Sequence, residues 1–148
     1  MYICYFCTYI NTLSHMKQRI ERISKIERFR DLRARVLQIK EEKPNASYDY
    51  IIEHIDDLGA PQFYLDYFSA RQYVKLVDNG FHYYNRPILK KTTFDKINAF
   101  YHVFYDIYLA NRGKMSEKDI IEMAIMQHAP SFYIMPSSLR IFLRHERL

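Results

Sequence analysis

The chain of 148 residues is 49% hydrophobic, 26% charged and 16% aromatic, with a net charge of +5. This length fits one domain or two very small ones, and the apolar fraction excludes wholesale disorder. Three glycines and five prolines argue against an all-β sandwich or barrel with many tight turns. No apolar run reaches the roughly 18 residues that a membrane span needs.

The N-terminal segment 1–15, MYICYFCTYINTLSH, contains both cysteines and no lysine or arginine. Cys4 and Cys7 lack the further ligands of a zinc site, so no metal is expected. The segment also lacks the basic start of a secretory signal, which predicts a cytoplasmic protein. Because the composition changes abruptly at Met16, the segment is interpreted either as a native apolar extension or as an upstream extension of a Met16 start.

Residues 17–43 are predicted to form one long amphipathic helix that ends at Lys43-Pro44-Asn45. Its ten basic and five acidic residues differ by five charges, the net charge of the whole chain. Its apolar stripe comprises Ile20, Ile23, Ile26, Phe29, Leu32, Val36 and Ile39.

Five shorter helices are predicted from capping residues, helix breakers and apolar spacing. Their expected starts and ends are Ser47 to Gly59, Asp66 to Asn79, Thr92 to Asn111, Ser116 to Gln127 and Pro136 to Arg144. An irregular basic and aromatic segment, 81–91, lies between the second and third of them. The fold class is therefore all-α, a helical bundle.

An internal repeat is the strongest pattern in the chain. Residues 51–74 and 120–143 align without a gap at an offset of 69, with nine identical pairs in 24 positions, where ordinary composition would give about one or two. We interpret it as two tandem copies of a helix, a capped helix, an A-P-x-F-Y elbow and a short helix. The expected organisation is an extension 1–15, a first copy 16–80, a linker 81–91 and a second copy 92–148, in one compact domain.

Each elbow has the same four residue types in the same order. A proline drives the preceding alanine out of helical backbone, the phenylalanine can staple two helices, and the tyrosine offers a ring and a hydroxyl. The elbow residues are Ala60, Pro61, Phe63 and Tyr64, and Ala129, Pro130, Phe132 and Tyr133. Two interpretations stay open: a packing corner, or the turn of a helix-turn-helix.

The helix-turn-helix hypothesis predicts that the helix after each elbow binds nucleic acid. Its residues are Arg71, Gln72 and Lys75 in the first copy and Arg140, Arg144 and Arg147 in the second. In the linker, Arg86, Lys90 and Lys91 beside aromatic residues predict either stacking of single-stranded bases or a hydrophobic strap. If the elbow is only a packing corner, Arg71 and Arg140 should instead pair with Glu53 and Glu122.

The two repeated blocks, residues 47–78 and 116–145, resemble the A-P-x-F-Y segment of short uncharacterised helical proteins of bacterial mobile elements and phages. The resemblance implies neither a catalytic activity nor a cofactor.

No nucleotide-binding or catalytic motif occurs, and the six histidines lack metal-binding spacing. Asp56 and Asp57 are expected on a solvated helix face. The protein is therefore predicted to be a non-enzyme without a cofactor. Its predicted partner is DNA, with a protein-interaction role as the alternative, as an oligomer or a phage particle component. The alternative is favoured by 14 tyrosines and 10 phenylalanines in so small a chain.

Overall fold

The structure is a computed structural model that describes residues 24–80 and 90–148. Within these two ranges the chain forms six helices and no strand. They are α1 (residues 24–42), α2 (Tyr48–His54), α3 (Tyr67–Asp78), α4 (Lys91–Ala110), α5 (Glu117–Ile125) and α6 (Pro136–His145). The all-α prediction is confirmed. The predictions for segment 1–15, for Met16 and for Arg86 lie outside the described residues.

Side-chain caps fix the starts of several helices. The hydroxyl of Ser47 accepts a hydrogen bond from the Tyr50 amide at 3.2 Å, and that of Ser116 accepts one from the Asp119 amide at 3.2 Å. Such caps satisfy amides that have no partner inside the helix. Pro136 is the first residue of α6, where its fixed φ and missing N–H cost nothing.

Three predicted helix bounds differ from the structure. The first two concern α2 and α5, which end at His54 and Ile125, before the predicted Gly59 and Gln127, and continue as turns. The third concerns α4, which begins at Lys91 without a side-chain cap. Thr92 consequently has helical backbone and cannot serve as an N-cap, which needs extended backbone.

The core lies where the apolar stripes of the helices meet. From α1 it receives Leu32, Val36 and Ile39, all buried, whereas Ile26 is 68% exposed. Within the described part of α1, the predicted stripe is therefore covered from Phe29 onward. The Phe29 ring stacks on Phe142 of α6 at 5.5 Å, and Ile20 and Ile23 lie outside the described residues. No helix in the described ranges is long and apolar enough to cross a membrane.

The two helices that flank each elbow are not the ones that pack most closely together. Among α2 to α6, the main contacts join α2 with α6, α3 with α5, and α4 with both α3 and α5. Each helix that precedes an elbow therefore packs against the helix that follows the other elbow. This exchange makes the described part of the chain one interlocked unit.

The two elbows meet through their backbones. The Ala60 amide donates to the Ala129 carbonyl at 2.8 Å, and the Ala129 amide donates to the Ala60 carbonyl at 2.9 Å. Gly59, the residue before Ala60, has a φ of +67°. A Cβ built on it would lie 2.5 Å from the Ala129 carbonyl oxygen. Only glycine fits this position without a shift of the backbone.

Both elbow phenylalanines are buried, as predicted: Phe63 is 1% exposed and Phe132 2%. The Phe63 amide donates to the Ile125 carbonyl at 3.2 Å, whereas the Phe132 amide donates to the Asp56 carboxylate at 2.8 Å. Asp56 is half-buried and also accepts a hydrogen bond from the Ser131 hydroxyl at 2.9 Å. The expectation that Asp56 lies on a solvated face is therefore wrong, although Asp57 is exposed.

The tyrosine after each phenylalanine adopts left-handed backbone. Tyr64 has a φ of 53° and Tyr133 a φ of 52°, a conformation that costs a non-glycine residue about 1–3 kcal/mol and persists only where the surroundings enforce it. The Tyr64 hydroxyl donates to Asp31 of α1 at 2.7 Å. The sharp backbone turn at each tyrosine directs the chain from the elbow into α3 or α6.

Candidate nucleic-acid interface

The three residues predicted on α3 all face solvent. Arg71, Gln72 and Lys75 are exposed, and none of their side chains forms an ion pair or hydrogen bond with a described residue. Arg71 and Lys75 are four residues apart and therefore lie on the same side of the helix. Together they present two positive charges without a carboxylate partner in the described ranges.

The residues predicted on α6 divide into paired and unpaired groups. Arg140 forms an ion pair with Asp49 on the first turn of α2. Arg144 and Arg147 are exposed and have no ion pair with any residue that the structure describes. Arg147 does not lie on α6 as predicted, because α6 ends at His145 and Arg147 follows it with left-handed backbone, at a φ of 54°. Arg140 and Arg144 share one side of α6 because they are one turn apart.

The predicted pairing of the shared arginines with the shared glutamates is not observed. Arg140 reaches Asp49 instead of Glu122, and Glu122 lies 3.9 Å from the Lys118 ammonium on its own helix. Glu53 is exposed, like Arg71, and neither has an ion pair within residues 24–80 or 90–148. A carboxylate one turn along the same helix is an easier partner for Lys118 than a side chain of another helix.

Of the three linker cations predicted to bind nucleic acid, the structure describes Lys90 and Lys91. Lys90 is the exposed N-cap of α4, and Lys91 is its exposed first residue, so Lys91 belongs to the helix rather than to the linker. Neither lysine has an acidic partner in the described part of the chain.

The described part of α1 carries further cations, of which some pair with carboxylates and others are buried without a hydrogen-bond partner. Arg33 pairs with Glu146 at the end of α6 at 2.7 Å, and Arg30 pairs with the neighbouring Asp31 at 3.1 Å. By contrast, the Nε atom of Arg28 and an Nη atom of Arg35 are buried without a hydrogen-bond partner among the described residues. An unpartnered buried donor loses its hydration without replacement, which costs about 1–3 kcal/mol.

Arg28 has a second cation close to it on α4. Burial, and to a lesser extent the charge of Arg28, lowers the pKa of Lys96 to about 8, while Asp66 opposes this shift. Burial also lowers the pKa of Arg28 itself. Lys96 forms no ion pair or hydrogen bond with any described residue.

Arg28, Lys96 and Asp56 were not predicted as site residues from the sequence. A signal for the first two existed: Arg28 lies four residues before buried Leu32, and Lys96 four residues before buried Phe100. A cation in line with a buried stripe lies beside the core, where its apolar stem packs and its charged end is partly shielded from water. Nothing in the local sequence distinguishes Asp56 from Asp57, because its partners at Ser131 and Phe132 are distant in the chain.

The elbow tyrosines titrate far from their ordinary range. Burial, and then the hydrogen bond to Asp31, raises the pKa of Tyr64. Burial, together with the charges of Asp95 and Asp56, raises the pKa of Tyr133 to about 12. Both hydroxyls therefore stay protonated at neutral pH and can act as hydrogen-bond donors.

No group of three or more metal-ligating side chains occurs within the described ranges. Comparison of the chain with models of protein families, with curated proteins and with solved structures found no match.

Proposed function

We propose that the protein is a small non-enzymatic nucleic-acid-binding protein that contacts phosphates through α3 and α6. The observation that carries the proposal is the exposure of Arg71, Lys75 and Arg144 without carboxylate partners in the described ranges. Cations that have no intramolecular counterion are available to replace the counterions of a nucleic acid.

We further propose that the two elbow units are copies of one ancestral unit, related by an approximate two-fold axis between Ala60 and Ala129. Three structural parallels at the offset of 69 support this: the reciprocal alanine hydrogen bonds, the left-handed tyrosines and the serine caps. If the two units change places, α2 takes the position of α5 and α3 that of α6. The contact of α2 with α6 then becomes the contact of α5 with α3. In this proposal α3 and α6 occupy equivalent places.

The arrangement departs from an ordinary helix-turn-helix, in which the two helices of one motif pack on each other. Here α3 packs on α5, and α6 packs on α2. Each proposed binding helix is therefore supported by the other copy. We propose that the contacts to nucleic acid are mainly to phosphates, which position a protein without reading sequence.

A salt titration tests the proposal. Anisotropy of a labelled DNA duplex should show binding that weakens steeply between about 50 and 200 mM salt. The double variant R71A/K75A should reduce the slope of log affinity against log salt by about 0.9 per lost phosphate contact. The control R112A/K114A removes the same number of exposed charges near the α4–α5 turn and should leave the slope unchanged. Absence of binding at low salt would contradict the proposal.

A second candidate function is self-association, and a groove between α1 and α6 favours it. The groove has a volume of about 520 Å³ and is lined by Phe29, Ile134, Ile141 and Phe142 among other residues. Ile141 is 57% exposed, and Ile26, one turn before Phe29, is 68% exposed. Light scattering tests this function: a dimer that Ile141→Asp dissociates would support it, and a monomer at all concentrations would exclude it.

A further inference from the structure

A cleft between α1, the first elbow and α3 gathers positive charge that the described chain does not neutralise. Its volume is about 280 Å³, slightly below the roughly 300–1,000 Å³ of pockets that take drug-sized ligands. Its lining residues are Ser24, Lys25, Arg28, Tyr64, Leu65, Asp66, Ser69 and Tyr73. A phosphate group, alone or with a sugar-sized substituent, fits this volume.

One cation lines the cleft, and a second cation lies near the first on another helix. Arg28 of α1 lines it and has a buried Nε without a hydrogen-bond partner among the described residues. Lys96 of α4 is half-buried near Arg28, with no ion pair in the described ranges. Two like charges that are both partly removed from water repel each other, and a bound anion between them would remove that penalty.

The acidic groups near the cleft have other partners. Asp66 is 7% exposed, and its carboxylate accepts hydrogen bonds from the amide and the hydroxyl of Ser69, both at 2.8 Å. Asp31 accepts the Tyr64 hydroxyl at 2.7 Å, and Glu27 accepts the Gln62 amide at 3.3 Å. Neither Asp31 nor Glu27 is among the residues that line the cleft. Asp66 is the acidic residue among those that line the cleft, and its charge also acts on Lys96.

We propose that this cleft is a phosphate-binding site in which the Arg28 guanidinium contacts the phosphate and the positive charge of the neighbouring Lys96 supports binding. Lys25 and Tyr73 also line the cleft, and the Tyr73 hydroxyl, which has no hydrogen-bond partner among the described residues, adds a donor. An arginine supplies donors in a planar fork and a lysine a compact charge, the combination that phosphate oxygens favour. The site is separate from the exposed cations of α3 and α6 and does not depend on the proposed nucleic-acid function.

Inorganic phosphate is the first probe. At constant ionic strength, calorimetry should show phosphate binding to the wild-type chain, with affinity at least about tenfold lower in Arg28→Met, which removes a charge-assisted contact, and lower in Lys96→Met, which removes a neighbouring positive charge. Arg144→Met, which removes an exposed arginine of α6, should bind phosphate like the wild type. Absence of phosphate binding, or equal binding by all three variants, would overturn the proposal.

A second measurement does not require a variant to fold. The side-chain resonance of Lys96 reports its own titration by NMR, and Arg28 and Asp66 are the charged groups that act on it. Saturating phosphate should raise the Lys96 pKa well above its value of about 8 in the free protein, since an anion favours the charged amine. A Lys96 pKa that phosphate leaves unchanged would contradict the assignment.

The phosphate can belong to a free small molecule or to the end of a nucleic-acid strand. Competition between inorganic phosphate and oligonucleotides with a 5′-phosphate or a 5′-hydroxyl separates the two sources. Displacement only by the 5′-phosphorylated strand assigns the site to strand ends. Displacement by neither strand assigns it to free phosphates. Displacement by both strands equally would show that phosphate binds to the general nucleic-acid surface, which would contradict a separate site.

Discussion

Arg140 on α6 pairs with Asp49 on α2, whereas Arg71 on α3 has no carboxylate partner in the described part of the chain. In the proposed duplication the counterpart of Asp49 is Lys118, which lies on α5, the helix against which α3 packs. Lys118 approaches the Tyr67 ring at 5.8 Å, one turn before Arg71. In the proposed duplication, an acidic residue in one unit thus corresponds to a basic residue in the other. Arg140 is neutralised by Asp49, and Arg71 is left available.

Asp49→Asn should release Arg140 and strengthen DNA binding. The salt dependence of the affinity should then become steeper by up to about one unit, the contribution of one additional phosphate contact. Asp57→Asn is the matched control, because Asp57 is exposed and pairs with His54 rather than with an arginine. Equal anisotropy titrations for wild type and Asp49→Asn would exclude Arg140 from the interface.

Phe132→Ala and Phe63→Ala should each lower the free energy of unfolding by about 3–5 kcal/mol, the usual cost of truncating a buried phenylalanine. The Phe63 ring meets Phe100 edge-on at 5.4 Å, and the Phe132 ring stacks on Tyr64 at 6.2 Å. Phe68, which is 48% exposed, provides the control: Phe68→Ala should cost much less in urea denaturation. Similar losses at all three positions would show that the elbows are not special packing points.

Gly59→Ala should disrupt the contact between the elbows. The new Cβ would face the Ala129 carbonyl oxygen at 2.5 Å, in addition to the roughly 1–2 kcal/mol that left-handed backbone costs an L-residue. Gly113→Ala pays only the conformational cost, because its φ is +76° and nothing lies within 4 Å. Thermal unfolding should therefore show a clearly larger loss for Gly59→Ala, and equal losses would contradict the close approach.

Asp56→Ala should lower the free energy of unfolding by about 1–3 kcal/mol, because it leaves the buried Phe132 amide without its acceptor. Asp57→Ala, one residue later, should change the stability far less, since the Asp57–His54 pair is exposed. Hydrogen exchange provides a local measurement: the Phe132 amide should lose protection in Asp56→Ala and keep it in Asp57→Ala.

Lys96→Met should stabilise the protein at pH 7, by up to about 3 kcal/mol, because it removes a desolvated cation. The folded-state pKa of about 8 lies below the ordinary value of 10.5, so between these values the unfolded chain binds the proton that the folded chain has lost. Stability therefore rises with pH across this window in the wild type. The variant should lack that rise between pH 7 and 9 in denaturant titrations.

The tyrosines act in the opposite direction at higher pH. The pKa of Tyr73, raised mainly by burial, lies above its unfolded value, so the contribution of Tyr73 is lost as the pH rises above about 10. The comparison of wild type with Lys96→Met is therefore made below that range. A wild-type stability that falls between pH 7 and 9 relative to the variant would contradict the role assigned to Lys96.

Local chemistry made several helix starts predictable. Serine at an N-cap and proline at a first helical position act through neighbouring residues, so Ser47, Ser116 and Pro136 were identified correctly. The burial of Phe63 and Phe132 followed from their positions in the repeated elbow. The bounds of α2 and α5 were less accurate, because a helix end without a strong stop signal is decided by tertiary packing.

These local signals could not predict which helices pack against each other. The helix-turn-helix hypothesis implied that α2 would pack on α3, whereas the structure places α6 on α2 and α5 on α3. Likewise, the partner of Arg140 lies 91 positions away, and no spacing rule relates the two. Arg28 lines the cleft and Lys96 lies near it on a separate helix, so only the fold brings these charges together.

The reciprocal bond between Ala60 and Ala129 has a consequence for synthesis on the ribosome. The first half of the chain emerges with α2, its elbow and α3 complete, yet their packing partners α6 and α5 have still to be translated. Contacts across such sequence distances raise the contact order and slow folding, because a long loop must close before they form. The nascent first half therefore exposes Phe63 and the apolar side of α3 until the second elbow leaves the ribosome. During that interval it is a natural client for a chaperone that holds apolar segments.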